Sequence, residues 1–365
     1  MERYDLVVIG GGPSGYAAAI RGIDFKKKVC LIERAKIGGA GIYNGALSSK
    51  TLWELASKVA SVNELITAKG KEKFYLDWNE VQSVLKEAIF DRKFQYSCHI
   101  KLLQKETMQK LLTYERGSAS FINEHEILIE NGREEKRIHA DYVVIATGSK
   151  PRELANIKVD HVHILTSDSV EKLDDFPKSI VIVGAGVIGC EYATIFSNFG
   201  KTKVHIIDRQ ERILPFEDLD ISKLISKNLE NNGVIVHSEA NLERLESKEG
   251  EVEYELSYPD KENEIIRVEK ALLSVGRVAN IDSLKIENAG VKMSKRGVHI
   301  GDNDTQTNVP HIFVAGDVSG HMALVNVGEI EARHAVEKAF DNAENRLGYE
   351  NICTIMFLNP EVAAV

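Results

Sequence analysis

The sequence lacks the features that mark membrane, secreted and nucleic-acid-binding chains. No apolar run approaches 18 residues, so no segment reads as a bilayer span. Met1-Glu2-Arg3-Tyr4-Asp5 runs straight into an apolar stretch, without the layout of a secretory signal. Cysteine is scarce: Cys30, Cys98, Cys190 and Cys353 form no C-x-x-C and no metal-type cluster, so no metal site is expected. For 365 residues that usage suits a reducing compartment and a cytoplasmic location. Lys+Arg 46 against Asp+Glu 55 leaves a net charge of −9, spread along the chain. Without a basic stripe, the chain is a poor partner for nucleic acid or an anionic membrane. No stretch is low-complexity, and no linker exceeds a loop. What remains, 43% hydrophobic and 28% charged, is ordinary globular composition for two or three domains.

Two glycine turns then organise the chain. Leu6-Val7-Val8-Ile9 reads as a buried strand, Gly10-Gly11-Gly12-Pro13-Ser14-Gly15 as a turn, and residues 16–25 as a helix. Val29-Cys30-Leu31-Ile32 follows as a strand ending at Glu33. The pattern restarts with Ile180-Val181-Ile182-Val183, then Gly184-Ala185-Gly186-Val187-Ile188-Gly189, a helix, and a strand ending at Asp208. The first glycine of each G-x-G-x-x-G permits the tight turn, and the second lets a pyrophosphate approach the backbone. The third lets helix and strand pack closely, with N–H groups of the helix start aimed at phosphates. Glu33 and Asp208 each end the next strand, where a carboxylate accepts ribose hydroxyls. Asp208 favours NAD(H), with NADP(H) less favoured, although Arg209 and Arg212 could soften its rejection of a 2′-phosphate.

Elsewhere, residues 47–68 and 79–114 read as two long helices, the second with Phe94, Tyr96, Met108 and Leu111 on an apolar packing face. Residues 118–122 and 126–129 read as strands, 138–140 as a lead into the strand 142–145, and residues 242–268 as an antiparallel meander. Strands at 271–275 and 312–314 and a helix at 324–340 complete the pattern. Cys30 and Cys190 read as packing residues.

On these motifs the chain resembles the class I pyridine nucleotide-disulfide oxidoreductases, the flavoprotein family of dihydrolipoamide dehydrogenase, glutathione reductase and soluble pyridine nucleotide transhydrogenase. Ala146-Thr147-Gly148, Ser274-Val275-Gly276-Arg277 and the stretch from Thr305 to Asp317 carry the resemblance through the chain. Residues 184–193 and Thr166-Ser167-Asp168-Ser169 read most like the transhydrogenases. The resemblance implies an α/β fold with two Rossmann-like dinucleotide-binding domains. It assigns residues 1–155 and 278–345 to FAD and 156–277 to NAD(P), with 346–365 as the start of a truncated dimerisation domain. The family is homodimeric, but the C-terminal dimerisation domain is expected to be essentially absent here. FAD would be held by Gly10, Gly12, Pro13, Ser14, Gly15, Glu33, Arg34, Lys50, Ala146, Thr147, Gly148, Gly316 and Asp317. The nicotinamide cofactor would be held by Gly184, Gly186, Val187, Ile188, Gly189, Glu191, Asp208, Arg209 and Gly276. Lys50 matches the family lysine beside flavin N5 and Glu191 its ion-pair partner, which makes these two the catalytic candidates. Lys50 also reads as an exposed lysine behind a Ser48 N-cap. His321 and Asn326 are candidates to contact an acceptor.

The family's disulfide segment places two cysteines where this chain has Gly41 and Ala46. Neither residue forms a thiolate, so the family's route of disulfide reduction is not expected. The expected function is a FAD-dependent NAD(P)H oxidoreductase. It would pass hydride from NADH to FAD and then to a small non-disulfide acceptor, in transhydrogenase, quinone reductase or diaphorase style. The alternatives are a catalytically decayed FAD/NAD-binding redox sensor or a truncated dihydrolipoamide dehydrogenase homologue.

Overall fold

The computed structural model describes residues 1–105, 111–132, 134–295, 297–298, 304–341 and 346–365. It resolves into two compact units. The first comprises Met1–Tyr43, Phe90–Lys150 and Arg277–Ile352; the second comprises Asn44–Ile89, Pro151–Gly276 and Cys353–Val365.

In the first unit a parallel sheet runs in the order Leu112–Arg116, Val29–Glu33, Glu2–Ile9, Glu134–Ile145. Ile312–Val314 pairs parallel with the last of these. An all-apolar strand core suits a sheet covered on both faces; Leu6, Val7 and Val8 are all fully buried. The helix Pro13–Asp24 has proline in its first turn, where a missing N–H costs no helix bond. Its Ala17, Ala18 and Ala19 face inward, and small residues let it lie close on the sheet.

In the second unit the parallel sheet order is Ile235–His237, Lys203–Ile207, Ser179–Val183, Lys270–Leu273, Ile164–Thr166. The meander Asn241–Lys248, Glu251–Ser257, Glu264–Val268 is antiparallel, as its alternating sequence predicts. Val187–Phe199 is apolar on most of its circumference and correspondingly buried. Leu52, Ala56 and Val59 of the helix Ala46–Thr67 enter the same core as Cys190 and Phe196.

Three expectations need correction. The second long helix is Trp78–Leu103 and does not reach residue 114. Leu112–Arg116 instead pairs with Val29–Glu33, because the Leu-Thr-Tyr run suits an open sheet edge better than a helix. Met108 lies outside the described residues. Phe94 is 57% exposed and stacks on Phe90, whereas Tyr96, Ile100 and Leu103 form the buried face. Finally, residues 138–145 belong to one strand, Glu134–Ile145. Its first part pairs antiparallel with Glu126–Asn131 and its last part joins the parallel sheet.

Candidate functional site

The two turns solve the same steric problem in the same way. Gly10 has φ +108° and Gly184 φ +101°, in the left-handed region that favours glycine. A Cβ on Gly15 would stand 1.8 Å from the Gly10 carbonyl oxygen, and one on Gly189 would stand 2.0 Å from that of Gly184. Those contacts are backbone against backbone and cannot relax by a rotamer change. Around Gly12 and Gly186, by contrast, a Cβ would meet nothing within 4 Å. The middle glycine of each turn therefore borders open space at a helix N-terminus, the place a phosphate takes. Pro13, Ser14, Val187 and Ile188 occupy the first turns of the two helices.

The two acids brace these turns. Glu33 is buried; its Oε2 accepts the Gly11 N–H at 2.7 Å and its Oε1 the Ala35 N–H at 2.7 Å. Asp208 Oδ2 accepts the Ala185 N–H at 2.7 Å and Oδ1 the Gln210 N–H at 2.9 Å. Each carboxylate oxygen retains a second lone pair for a ribose hydroxyl. Arg34 and Arg209 are exposed beside their acids. Arg212 instead donates to the carbonyls of Pro215 and Glu217, so it is already committed to its own loop.

The other residues assigned to the first nucleotide gather around its turn. Ala146 lies against Gly10. Thr147 Oγ1 is buried without a hydrogen-bond partner among the described residues, and Gly148 adopts φ +69°. An orphaned hydroxyl beside an open phosphate turn fits a bound dinucleotide that supplies the missing partner. Asp317 accepts the Ser149 hydroxyl at 2.6 Å, and Arg277 orders Ser149 through Nε to its Oγ at 2.7 Å. Gly316 precedes Asp317 with φ +78° and packs directly on Ser14.

In the second unit, Ser274 locks the turn by donating to the carbonyls of Val183 and Gly184. Gly276 adopts φ +101° with open space around it. Lys50 Nζ lies 3.0 and 2.9 Å from the two Glu191 carboxylate oxygens. Glu191 is 6% exposed in its side chain and Lys50 33%, so the pair is shielded without being sealed. Phe357 holds both members: its backbone N–H donates to Glu191 Oε1 at 3.1 Å, and its ring centroid lies 4.8 Å from the ammonium. Trp53 supports that segment through Nε1 to the Leu358 carbonyl at 3.2 Å. Ser48 is not the helix cap; Gly45 holds that position and Ser48 is buried in the first turn.

Gly41 is packed against Pro13, whose Cγ would lie 2.4 Å from a Cβ at that position. Cys30 and Cys190 are fully buried, and burial pushes both thiols up, Cys30 to about 12. His321 and Asn326 are exposed, and the His321 ring lies tilted against Tyr349 with centroids 4.3 Å apart. Thr166 and Ser169 form a reciprocal capping box, a local structural reason for that string. Sequence reading missed Ser149, Glu331, Tyr349 and Phe357, whose partners lie 15 to 168 residues away and leave no local signal. Among the described residues no metal-binding cluster occurs, and no helix is long and apolar enough to cross a membrane.

Comparison with known proteins gives a consistent picture. The family described as "Pyridine nucleotide-disulphide oxidoreductase" matches residues 4–334. Dihydrolipoyl dehydrogenase of Bacillus subtilis is 33% identical over 378 residues, covering 99% of this chain and 76% of the relative. Soluble pyridine nucleotide transhydrogenase of Hahella chejuensis is 33% identical over 367 residues, covering 100% and 76%. Among solved structures, the Cu(II) complex of the HOCl-induced flavoprotein disulfide reductase RclA from Escherichia coli matches with a TM-score of 0.85 and 25% identity. That match covers 100% of this chain and 77% of RclA.

Proposed function

Since the chain belongs to the pyridine nucleotide-disulphide oxidoreductase family, we propose that it is a FAD-dependent NAD(P)H oxidoreductase whose electron acceptor is not a disulfide. The family's cofactors are FAD and NAD(P)H, and the open middle glycines and the orphaned Thr147 hydroxyl fit them. The observation that carries the acceptor assignment is the pairing of two intact nucleotide turns with Gly41 and Ala46 at the thiol positions. When bound, FAD supplies an isoalloxazine that accepts hydride and releases electrons singly or in pairs.

The chain's own residues then bind and orient. In this reading the turn at Gly10–Gly15 takes the FAD pyrophosphate, with Glu33 on the adenosine ribose and Asp317 on the ribityl hydroxyls. The turn at Gly184–Gly189 takes the nicotinamide dinucleotide, with Asp208 on its ribose. Asp208 disfavours a 2′-phosphate, so NADH is the preferred donor. Lys50, held in place by Glu191 and Phe357, would offset the negative charge that arrives with hydride. With no thiolate at residues 41 and 46, electrons leave for a quinone, a second nicotinamide or a dye. That assignment departs from the disulfide reduction named for RclA.

Anaerobic titration of the purified chain with NADH tests this reading. The flavin absorbance is expected to bleach and to return on adding a quinone. No long-wavelength thiolate charge-transfer band should appear, and lipoamide should not reoxidise the protein. A charge-transfer band, or turnover with lipoamide, would sink the proposal. Bound flavin that NADH never reduces would favour the redox-sensor alternative.

A further inference from the structure

Glu331 is a carboxylate with almost no access to water, being 1% exposed on the helix Val325–Asp341. An acid of this kind is kept only where its lone pairs are matched by donors. Both oxygens are matched. Oε2 accepts the backbone N–H of Gly316 at 2.6 Å, and Oε1 accepts the Tyr349 hydroxyl at 2.8 Å. Burial pushes Glu331 above the usual carboxylate range, and the nearby Asp317 charge adds to this, against the two hydrogen bonds.

The two donors come from different places. Gly316 is the residue before Asp317, in a backbone conformation at φ +78° that glycine readily adopts. Tyr349 belongs to the segment that follows the helix, where its ring also lies tilted against His321, centroids 4.3 Å apart. Gly316 and Gly328 both approach the Ser14 hydroxyl, at 2.5 and 2.3 Å from where their Cβ atoms would be. Gly316 is thus packed on Ser14, and the Ala315–Gly316 peptide N–H, one residue before Asp317, is held by Glu331. The Asp317 carboxylate accepts the Ser149 hydroxyl through Oδ2, and a carboxylate has further lone pairs for a ligand's hydroxyls.

We propose that Glu331, itself held by the Tyr349 hydroxyl, is a positioning residue for FAD. It fixes the Ala315–Gly316 peptide, immediately before Asp317, so that Asp317 presents its remaining lone pairs to the ribityl hydroxyls. The proposal rests on the assignment of FAD to the first unit. It gives the segment around Tyr349 a function: a latch that reads through Glu331 onto the cofactor turn. Neither Glu331 nor Tyr349 needs to touch the cofactor.

The test is titration of flavin-free protein with FAD, followed by quenching of flavin fluorescence, with the visible circular dichroism of the bound flavin as a second signal. Tyr349→Phe removes one donor from a half-buried position and is expected to weaken FAD about tenfold. Glu331→Gln keeps an acceptor for Gly316 and a donor for the Tyr349 oxygen, and should bind FAD within about threefold of the wild type. Glu331→Leu leaves two donors unmatched and should weaken FAD by about a hundredfold, with an altered dichroic band. Flavin-free Tyr349→Phe leaves one Glu331 oxygen unmatched and should melt somewhat lower, but its affinity for NADH should stay at the wild-type value. Unchanged FAD affinity in both Tyr349→Phe and Glu331→Leu would overturn the proposal while leaving the FAD assignment intact. So would a loss that Glu331→Gln does not rescue, or one matched by an equal loss of NADH affinity. A wild-type chain that binds no FAD would overturn both.

Discussion

At the scale of single residues, the Lys50 ammonium is held by the Glu191 carboxylate and by the face of Phe357. Removing a charge-stabilising group from such a site typically costs about 10²–10³ in rate. Lys50→Met is therefore expected to slow NADH-dependent flavin reduction by about 10²-fold in stopped-flow absorbance, while FAD stays bound. Reduction at the wild-type rate would remove Lys50 from the mechanism. Asp208 offers a separate test, because it both braces Ala185 and sets ribose preference. Asp208→Asn retains an acceptor for the Ala185 N–H but discards the charge that repels a 2′-phosphate. The ratio of NADH to NADPH affinity should fall by about tenfold or more, measured by fluorescence titration. A ratio that does not move would mean that nucleotide choice is set elsewhere. Lys50, Glu191 and Asp208 were all legible in the sequence as motif positions. Phe357 was not, because its link to Glu191 spans 166 residues and is made through a backbone N–H.

Among the elements, the glycine turns separate ligand space from packing space. Gly12 borders open space, whereas Gly15 lies against the Gly10 carbonyl. Gly12→Ala should leave the melting temperature nearly unchanged and weaken FAD binding. Gly15→Ala overpacks backbone on backbone, at a cost of about 1–3 kcal/mol or more, and should lower the melting temperature by several degrees. Equal melting temperatures for the two variants would contradict this division. The paired strands Lys203–Ile207 and Ile235–His237 carry a second testable device. His205 Nδ1 and His237 Nε2 are 3.1 Å apart, the rings stack, and His237 Nδ1 bonds the Tyr258 hydroxyl at 2.8 Å. Burial, with His237 and Lys203 nearby, pushes His205 down to about 4. Its folded value thus lies below the unfolded one of about 6.5, so between those values the unfolded chain binds more protons. Stability is full above about pH 6.5 and falls as pH drops toward about 4. His205→Phe should flatten that decline in thermal melts; an equally steep slope would exclude His205 as its source. The strands themselves were readable from apolar runs and alternation. The continuation of residues 112–116 as a sheet strand was not, since strand and helix patterns overlap in so short a segment.

For the whole molecule, the repeated turn predicts two nucleotide sites that respond separately. In hydrogen exchange, FAD should protect amides around residues 10–15, 146–148 and 316–317. NADH should protect those around 184–189 and 208. Protection by NADH confined to the first set would invert the cofactor assignment. The chain spans about three quarters of the length of the relatives it matches. Each unit has a core of its own, around Val7, Ile145 and Val314 in the first and Ile182, Phe196 and Leu272 in the second.

By itself, the sequence determined the α/β class, the duplicated turn, the acids at the strand ends and the absence of thiols at residues 41 and 46. These are local properties, written in apolar runs, glycine spacing and residue type. Tertiary structure alone decided that Phe357 clasps the Lys50–Glu191 pair, that Ser149 and Arg277 address Asp317, and that Tyr349 and Glu331 pin Gly316. Three of those contacts join groups more than 100 residues apart, and two use backbone N–H groups that every residue but proline possesses. Only folding makes one particular N–H the partner of one particular carboxylate.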